Sequence, residues 1–311
     1  MPIIRNLEKL RKSPHPVLTL GNFDGVHLGH QALFERVKQR AAATRGTSMV
    51  LTFEPHPMRV INKNNRLPLI TLYEQKMELI EAQGMDAIIC LDFTPELAQV
   101  EAEDFVRQIL VKGIGVKLII IGYDFRFGRK GRGNRDLLIK MGQEHGFSVE
   151  TIGPQYSADQ QIISSTRIRE IITSGNVEKA PALLGRRYRI AGQVIRGRDR
   201  GGRLLGFPTA NLRLIDELIP KTGVYAVKVI HADGLYDGVT NIGYNPTFGD
   251  VGFSVEVHCF DFDSDIYDQT IKIDFQARIR DEKKFSGPEE LKDQITKDCQ
   301  MAREILKTTD S

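Results

Sequence analysis

Apolar residues follow two different rhythms along this chain. In the first half, unbroken apolar runs alternate with stretches in which apolar residues recur every three or four positions. The runs are Val17-Leu18-Thr19-Leu20, Met49-Val50-Leu51-Thr52-Phe53, Ala87-Ile88-Ile89-Cys90-Leu91 and Leu118-Ile119-Ile120-Ile121, with a fifth stretch from Ser148 to Ile152. Runs of this kind suit strands buried on both faces. Between them, Leu33, Phe34, Val37 and Ala41 predict a helix over 31–43. Thr71 and Glu74 have the spacing of a capping box, opening a helix to Gln83 that Gly84 stops. Pro95 stands where a helix can begin, and Phe105, Val106, Ile109 and Leu110 continue it. A further helix ends at His145-Gly146. Strands alternating with helices predict a mostly parallel, doubly wound α/β sheet. Such sheets bind ligands beyond the C-terminal ends of their strands.

The rhythm changes between Asn176 and Leu184. A last short helix ends at Gly185, which places a domain boundary there and gives domains of residues 1–184 and 185–311. Beyond it the chain reads as short strands and glycine-rich turns: Tyr188 onward, Gly223 to Val229, Val239 to Gly243, Phe253 to Cys259 and Ile271 to Phe275. In Phe253 to Cys259 the period is two, with Phe253, Val255, Val257 and Cys259 on one side and Glu256 on the other. Strands at this spacing predict a closed or partly closed β-barrel. Ser286-Gly287-Pro288 then opens a C-terminal helix through Leu291, Ile295, Cys299 and Ala302.

Candidate chemistry concentrates where predicted strands end. Gly21-Asn22-Phe23-Asp24-Gly25-Val26-His27-Leu28-Gly29-His30 joins the first strand to the first helix. Its glycines allow close backbone approach, and a helix N-terminus favours phosphate. His27 and His30 share a face if both lie in the first turn. Two imidazoles there could donate to phosphoryl oxygens, or hold a metal with Asp24 as a third ligand. Glu54-Pro55-His56-Pro57 ends the second strand, and His56 is either a functional group or an exposed loop residue. The loop after Ile121, Gly122 to Gly133, mixes basic, aromatic and glycine residues. It suits a triphosphate and a base, an RNA strand, or plain solvent. Ser164-Ser165-Thr166-Arg167 opens a helix, and a hydroxyl-capped helix end is also an anion site. In the second half, Thr209 and Asn211 of Gly206-Phe207-Pro208-Thr209-Ala210-Asn211 offer neutral oxygens to a hard cation such as Mg²⁺, or form a simple Pro-Thr turn.

Bulk properties narrow the classes. At roughly 150 residues per domain, 311 residues suggest two domains. Hydrophobic content of 41% and charged content of 27% are those of a globular protein. A net charge of +3 does not imply nucleic acid. Three scattered cysteines fit a reducing, cytoplasmic setting. Met1 to Lys12 is charged, without an apolar stretch of signal length, and no run reaches the ~20 apolar residues of a membrane span. No Gly-x-x-x-x-Gly-Lys-Ser/Thr occurs, so the chain is not a P-loop NTPase.

Together these motifs resemble the prokaryotic bifunctional riboflavin kinase/FMN adenylyltransferase family, the FAD synthetases. Asn22-Phe23-Asp24-Gly25 with His27-x-Gly-His30, Gly122-x-Asp124-Phe125-x-Phe127-Gly128, and Ser164-Ser165-Thr166-x-Ile168-Arg169 resemble its adenylyltransferase module. Gly206 to Asn211, Asn241-Ile242-Gly243 with Asn245-Pro246-Thr247-Phe248, and Glu256 resemble its kinase module. The resemblance implies a Rossmann-like nucleotidyltransferase domain followed by a riboflavin kinase barrel. It implies phosphorylation of riboflavin to FMN by ATP, then adenylylation of FMN to FAD with release of pyrophosphate. Glu256 would be the kinase base, with Thr209 and Asn211 on Mg²⁺. His27 and His30 would stabilise charge on the α-phosphoryl group. Asn22, Phe23, Asp24, Gly25, Asp124, Arg126, Phe127, Ser164, Ser165, Thr166, Arg167, Gly206, Phe207 and Pro208 would contact nucleotide, and Phe53, His56 and Arg280 flavin. The partners expected are riboflavin, FMN and ATP, with neither nucleic acid nor membrane. Two features depart from the pattern: Asp268 after Tyr267 where glycine is expected, and an arginine excess at Arg186, Arg187, Arg189, Arg196, Arg198, Arg200 and Arg203.

Overall fold

The computed structural model describes residues 2–10, 12–62, 67–196, 206–244 and 253–309. Asn245 to Phe248 and Arg198, Arg200 and Arg203 therefore lie outside the described residues. The chain divides into two compact units, residues 1–165 and 166–311.

The first unit is a six-stranded parallel sheet in the order β1-β4-β3-β2-β5-β6. Its strands are β1 (Ile3–Ile4), β2 (Pro16–Leu20), β3 (Thr47–Glu54), β4 (Ala87–Asp92), β5 (Leu118–Gly122) and β6 (Ser148–Ile152). Its main helices are α1 (Leu28–Ala43), α2 (Pro57–Ile61), α3 (Tyr73–Glu81), α4 (Ala102–Asp104, continuing as a π-helix over Phe105–Ile114) and α5 (Arg135–His145). Alternate strand residues feed two cores. Leu18, Met49, Leu51, Ile89 and Ile119 pack against Val106, Leu110, Leu138 and Met141. Val17, Val50, Ile88 and Ile120 pack against Phe34, Val37, Met77 and Ile80. This two-sided burial is why the strands read as unbroken apolar runs.

Three local expectations change. β1 was not predicted, because a two-residue edge strand carries no period. The helix expected from Pro95 is broken: a 3₁₀ turn, Leu97–Gln99, ends at an extended Val100. The Val100 carbonyl accepts the N–H of Arg129 at 2.8 Å, and Gly128 lies so close that a Cβ there would come within 2.6 Å of the Ala102 Cα. The loop after β5 thus occupies the line the helix would have followed. Thr71 does not cap α3, whose N-cap is Leu72 with no side-chain bond.

α6 (Ser165–Thr173) starts on the last residue of the first unit, and the second unit carries the rest of it, α7 (Pro181–Leu184) and a closed antiparallel barrel in the order β10-β11-β8-β7-β12-β9. The strands are β7 (Tyr188–Ile195), β8 (Ala210–Arg213), β9 (Gly223–His231), β10 (Gly234–Tyr244), β11 (Phe253–Cys259) and β12 (Thr270–Arg280). Tyr188, Tyr225, Val227, Ile242, Val255, Val257, Ile273 and Phe275 fill its interior. β8, whose first residues belong to the segment open to a cation site or a Pro-Thr turn, closes the barrel between β7 and β11. α8 (Pro288–Thr309) covers the outer face of β9 and β10, burying Ala302 and Leu306 on Val224, Ala226 and Val239.

Arg280 ties α8 to the barrel. Its Nε lies 2.9 and 3.0 Å from the two carboxylate oxygens of Asp298, and its Nη2 2.7 Å from one of them. Nη1 donates to the Asp281 carbonyl at 2.9 Å. This guanidinium is the one the resemblance places at flavin, and among the described residues it is engaged in this clamp. Asp298 is 4% exposed, so removing the guanidinium strands a carboxylate away from water. Arg280→Ala is expected to destabilise the protein by about 3 kcal/mol in urea unfolding, and a change below about 1 kcal/mol would contradict the clamp.

Candidate functional site

In the first unit the parallel sheet brings the loops after β2, β3 and β5 to one edge. Between β2 and α1, three residues adopt left-handed backbone: Phe23 (φ 52°), Gly25 (φ 87°) and Val26 (φ 40°). Only glycine takes such angles without cost, and a β-branched valine resists them. Phe23 and Val26 are nonetheless buried. His27 caps α1, its Nδ1 accepting the N–H of His30 at 3.4 Å. That bond leaves the His27 proton on Nε2. The two imidazoles stack with centroids 3.5 Å apart and planes at 21°. Gly29 permits this, since a Cβ there would stand 3.1 Å from the His27 ring. Phe23 meets His30 edge-on at 5.2 Å. Burial, and secondly the neighbouring His27, hold the His30 pKa well below the usual imidazole value. Its Nδ1 is buried without a hydrogen-bond partner among the described residues. The arrangement is a pair of stacked rings at a helix N-terminus, able to donate to an anion.

The residues around the pair support it in ways the sequence did not show. The Asp24 carboxylate, 4% exposed, turns inward and accepts the backbone N–H of Ile70 at 3.2 Å and of Thr71 at 3.0 Å. The N–H of Gly25, a residue the resemblance places at nucleotide, donates to the Thr71 hydroxyl at 3.0 Å. Phe23, expected at nucleotide, packs on Phe34 behind His30. Ser165 donates its hydroxyl to the Asp24 carbonyl at 2.9 Å, which brings the first residue of α6 to this loop. Asn22 is exposed, and Thr166 and Arg167 continue α6.

On the neighbouring loops, His56 is buried and caps α2, its Nδ1 accepting the Met58 N–H at 3.2 Å. It is not the exposed loop residue that was one of its two readings. Phe53 packs on Phe93 at 5.5 Å. Asp124 and Arg126 are exposed after β5. Phe127, expected at the nucleotide, is instead 8% exposed and lies in the core against Phe105 and Phe125. The reason is its pairing with Gly133, which turns the ring inward.

In the second unit, strand register builds a polar row. Glu256 on β11 stands directly opposite Asn211 on β8 and Asn241 on β10. Directly opposed residues share a face, and buried Val255 and Val257 fix that face as the outside of the barrel. Ser254 donates to the Glu256 carboxylate at 3.2 Å. Thr209 lies two residues before Asn211, and neither side chain makes a hydrogen bond among the described residues. Gly206, with φ 84°, turns the chain into Phe207 and Pro208. His258, on the face of Glu256, reaches back to the Pro208 carbonyl at 2.8 Å and meets Phe207 edge-on at 5.6 Å.

Comparisons with known proteins cover both units. Residues 9–167 match the family model of FAD synthetase, and residues 184–306 that of riboflavin kinase. The chain is 38% identical over 302 residues to the bifunctional riboflavin kinase/FMN adenylyltransferase of Buchnera aphidicola subsp. Acyrthosiphon pisum, covering 96% of each. It is 39% identical over 305 residues to the enzyme of that name from Haemophilus influenzae, covering 97% of this chain and 98% of that one. The chain belongs to the bifunctional riboflavin kinase/FMN adenylyltransferase family. A crystal structure titled macrolide-efflux protein, from Streptococcus pneumoniae, has the same fold: the TM-score is 0.85 at 31% identity, over 97% of this chain and 98% of that one. In the present chain no helix among the described residues is long and apolar enough to cross a membrane.

Two residues of this family member escaped the sequence reading. His258 sits two places after Glu256, and that strand spacing was the available signal. Thr71 was read as a helix cap, and nothing local pointed to Gly25.

Because the folded His30 pKa is depressed, the ring stays neutral as pH falls through 6.5, where an unfolded imidazole already takes a proton. Folding stability therefore falls with acid from about that pH. NMR titration should show His30 uncharged at pH 6.5; a midpoint at 6.5 would contradict its burial.

Proposed function

We propose that residues 1–184 carry out adenylyl transfer and residues 185–311 riboflavin phosphorylation, with the residues named above in distinct roles. The chain is a transferase that makes FMN from riboflavin and FAD from FMN, with ATP as co-substrate in both steps. In the first domain the FMN phosphate attacks the α-phosphorus of ATP and pyrophosphate leaves. His27 and His30, as neutral donors, direct N–H groups at the α-phosphoryl oxygens as charge accumulates there. Ser164, Ser165, Thr166 and Arg167 hold the outer phosphates, with Asn22, Asp124 and Arg126 also on the nucleotide. Phe53 and His56 flank FMN. Phe23, Asp24 and Gly25 act through the loop that carries the histidines.

In the barrel, Glu256 takes the proton of the ribityl 5′-hydroxyl while that oxygen attacks the γ-phosphorus and ADP leaves. The unpartnered Thr209 hydroxyl and Asn211 amide beside a carboxylate are hard oxygen donors, the set Mg²⁺ accepts with phosphates and water completing its shell. When bound, the ion neutralises charge on the ATP phosphates. Gly206, Phe207 and Pro208 bring that segment against the nucleotide. The observation that carries the reading is the direct pairing of Asn211 with Glu256, alongside a second donor set, the imidazole pair, in the other unit. Three unpaired thiols are consistent with a cytoplasmic setting.

The two activities should separate by mutation. Glu256→Ala is expected to lower riboflavin phosphorylation by about 10²–10⁴-fold and leave FMN adenylylation intact. His30→Ala should lower adenylylation by about 10²–10³-fold and leave the kinase step intact. Loss of both activities in either folded variant overturns the assignment.

A further inference from the structure

Thr71 has the sequence position of a helix cap and does not cap its helix. Its hydroxyl crosses instead to the loop between β2 and α1 and accepts the Gly25 N–H at 3.0 Å. Its own N–H donates to the Asp24 carboxylate at 3.0 Å, beside the Ile70 N–H at 3.2 Å. A second hydroxyl contact to that carboxylate measures 3.4 Å. Gly25 fits this seat tightly, since a Cβ there would approach the Ile70 side chain to 3.1 Å. The four residues involved are all buried: Asp24, Gly25, Ile70 and Thr71.

The loop held in this way is the strained one. Phe23, Gly25 and Val26 all lie at positive φ, immediately before His27. Backbone at such angles persists only where surrounding contacts over-determine it. On the Asp24 side the carbonyl also receives the Ser165 hydroxyl at 2.9 Å. Segment 70–71 therefore clamps the loop, and the direction of both imidazoles depends on that clamp.

We infer that Thr71 is a positioning residue for adenylyl transfer: by accepting the Gly25 N–H and donating to Asp24, it fixes the strained turn that aims His27 and His30 at the α-phosphoryl group. The inference rests on the reading of the first domain as the adenylyltransferase. Thr71 is 3% exposed and its hydroxyl and N–H are engaged with Gly25 and Asp24, so its loss acts through the loop that carries the histidines. Misplacement of catalytic groups by about 1 Å can cost about a hundredfold in rate. A loss confined to the transition state lowers kcat more than it raises KM.

The test uses the full chain with Thr71→Val, which keeps the shape and removes the hydroxyl, and Thr71→Ser, which keeps the hydroxyl. Thr71→Val should lower kcat for FMN adenylylation by about ten- to a hundredfold, with KM for ATP within about threefold of wild type. Its riboflavin phosphorylation should equal wild type, and Thr71→Ser should recover most of the adenylylation rate. Wild-type kcat in Thr71→Val overturns the inference, as do equal losses in the two variants, or kinase activity and unfolding temperature falling together with adenylylation. Failure of the wild-type chain to convert FMN and ATP to FAD would overturn the underlying functional reading instead.

Discussion

The carboxylate of Asp24 is the constraint on which the first unit's chemistry depends. A short turn must carry two imidazoles from a strand end to a helix N-terminus, and it does so through backbone angles that Phe23 and Val26 resist. Left to itself such a turn would relax. Inside the protein, Asp24 receives two backbone N–H groups from segment 70–71 and its carbonyl receives a hydroxyl from Ser165. A buried carboxylate is costly unless hydrogen-bonded, and here that requirement is met by the same contacts that fix the turn. The stacking of the two imidazoles follows from this geometry, and burial keeps the His30 pKa low.

The second unit solves a related problem with strand register. Its candidate base and candidate metal ligands come from β11 and β8, far apart in sequence, and they meet because the ladder sets Glu256 opposite Asn211. A slip of one residue would turn Glu256 into the barrel interior and Val255 or Val257 outward. The hydrophobic alternation of β11 therefore protects the candidate face while it builds the core. Next to that face, Val224 and Ala226 are closed over by α8, and the Arg280–Asp298 clamp holds that helix down.

Much of this was visible in the sequence. Runs such as Leu118-Ile119-Ile120-Ile121 signal strands through local composition, and the period of two in Phe253 to Cys259 signals a barrel face. His27 and His30 stood out because glycines and a strand–helix junction surround them. What stayed hidden depended on distant partners. Thr71 looks like a cap because its neighbours have capping spacing, but its partners are Asp24 and Gly25, more than forty residues earlier. Phe127 looks available to a base until Gly133 turns it inward. Arg280 looks like a ligand contact until Asp298, on a helix formed later in the chain, engages it. β8 is too short to show a period, and only its two neighbours reveal it as a strand.

The account's central claim is that one polypeptide uses two ATP molecules in different ways, cleaving one at the γ-phosphate and the other at the α-phosphate. Incubating the chain with riboflavin, Mg²⁺ and ATP labelled separately at each position tests this directly. The γ-label should enter FMN and persist in FAD, while the α-label should enter FAD alone. An α-label that enters no flavin, or that appears in FMN, would contradict it.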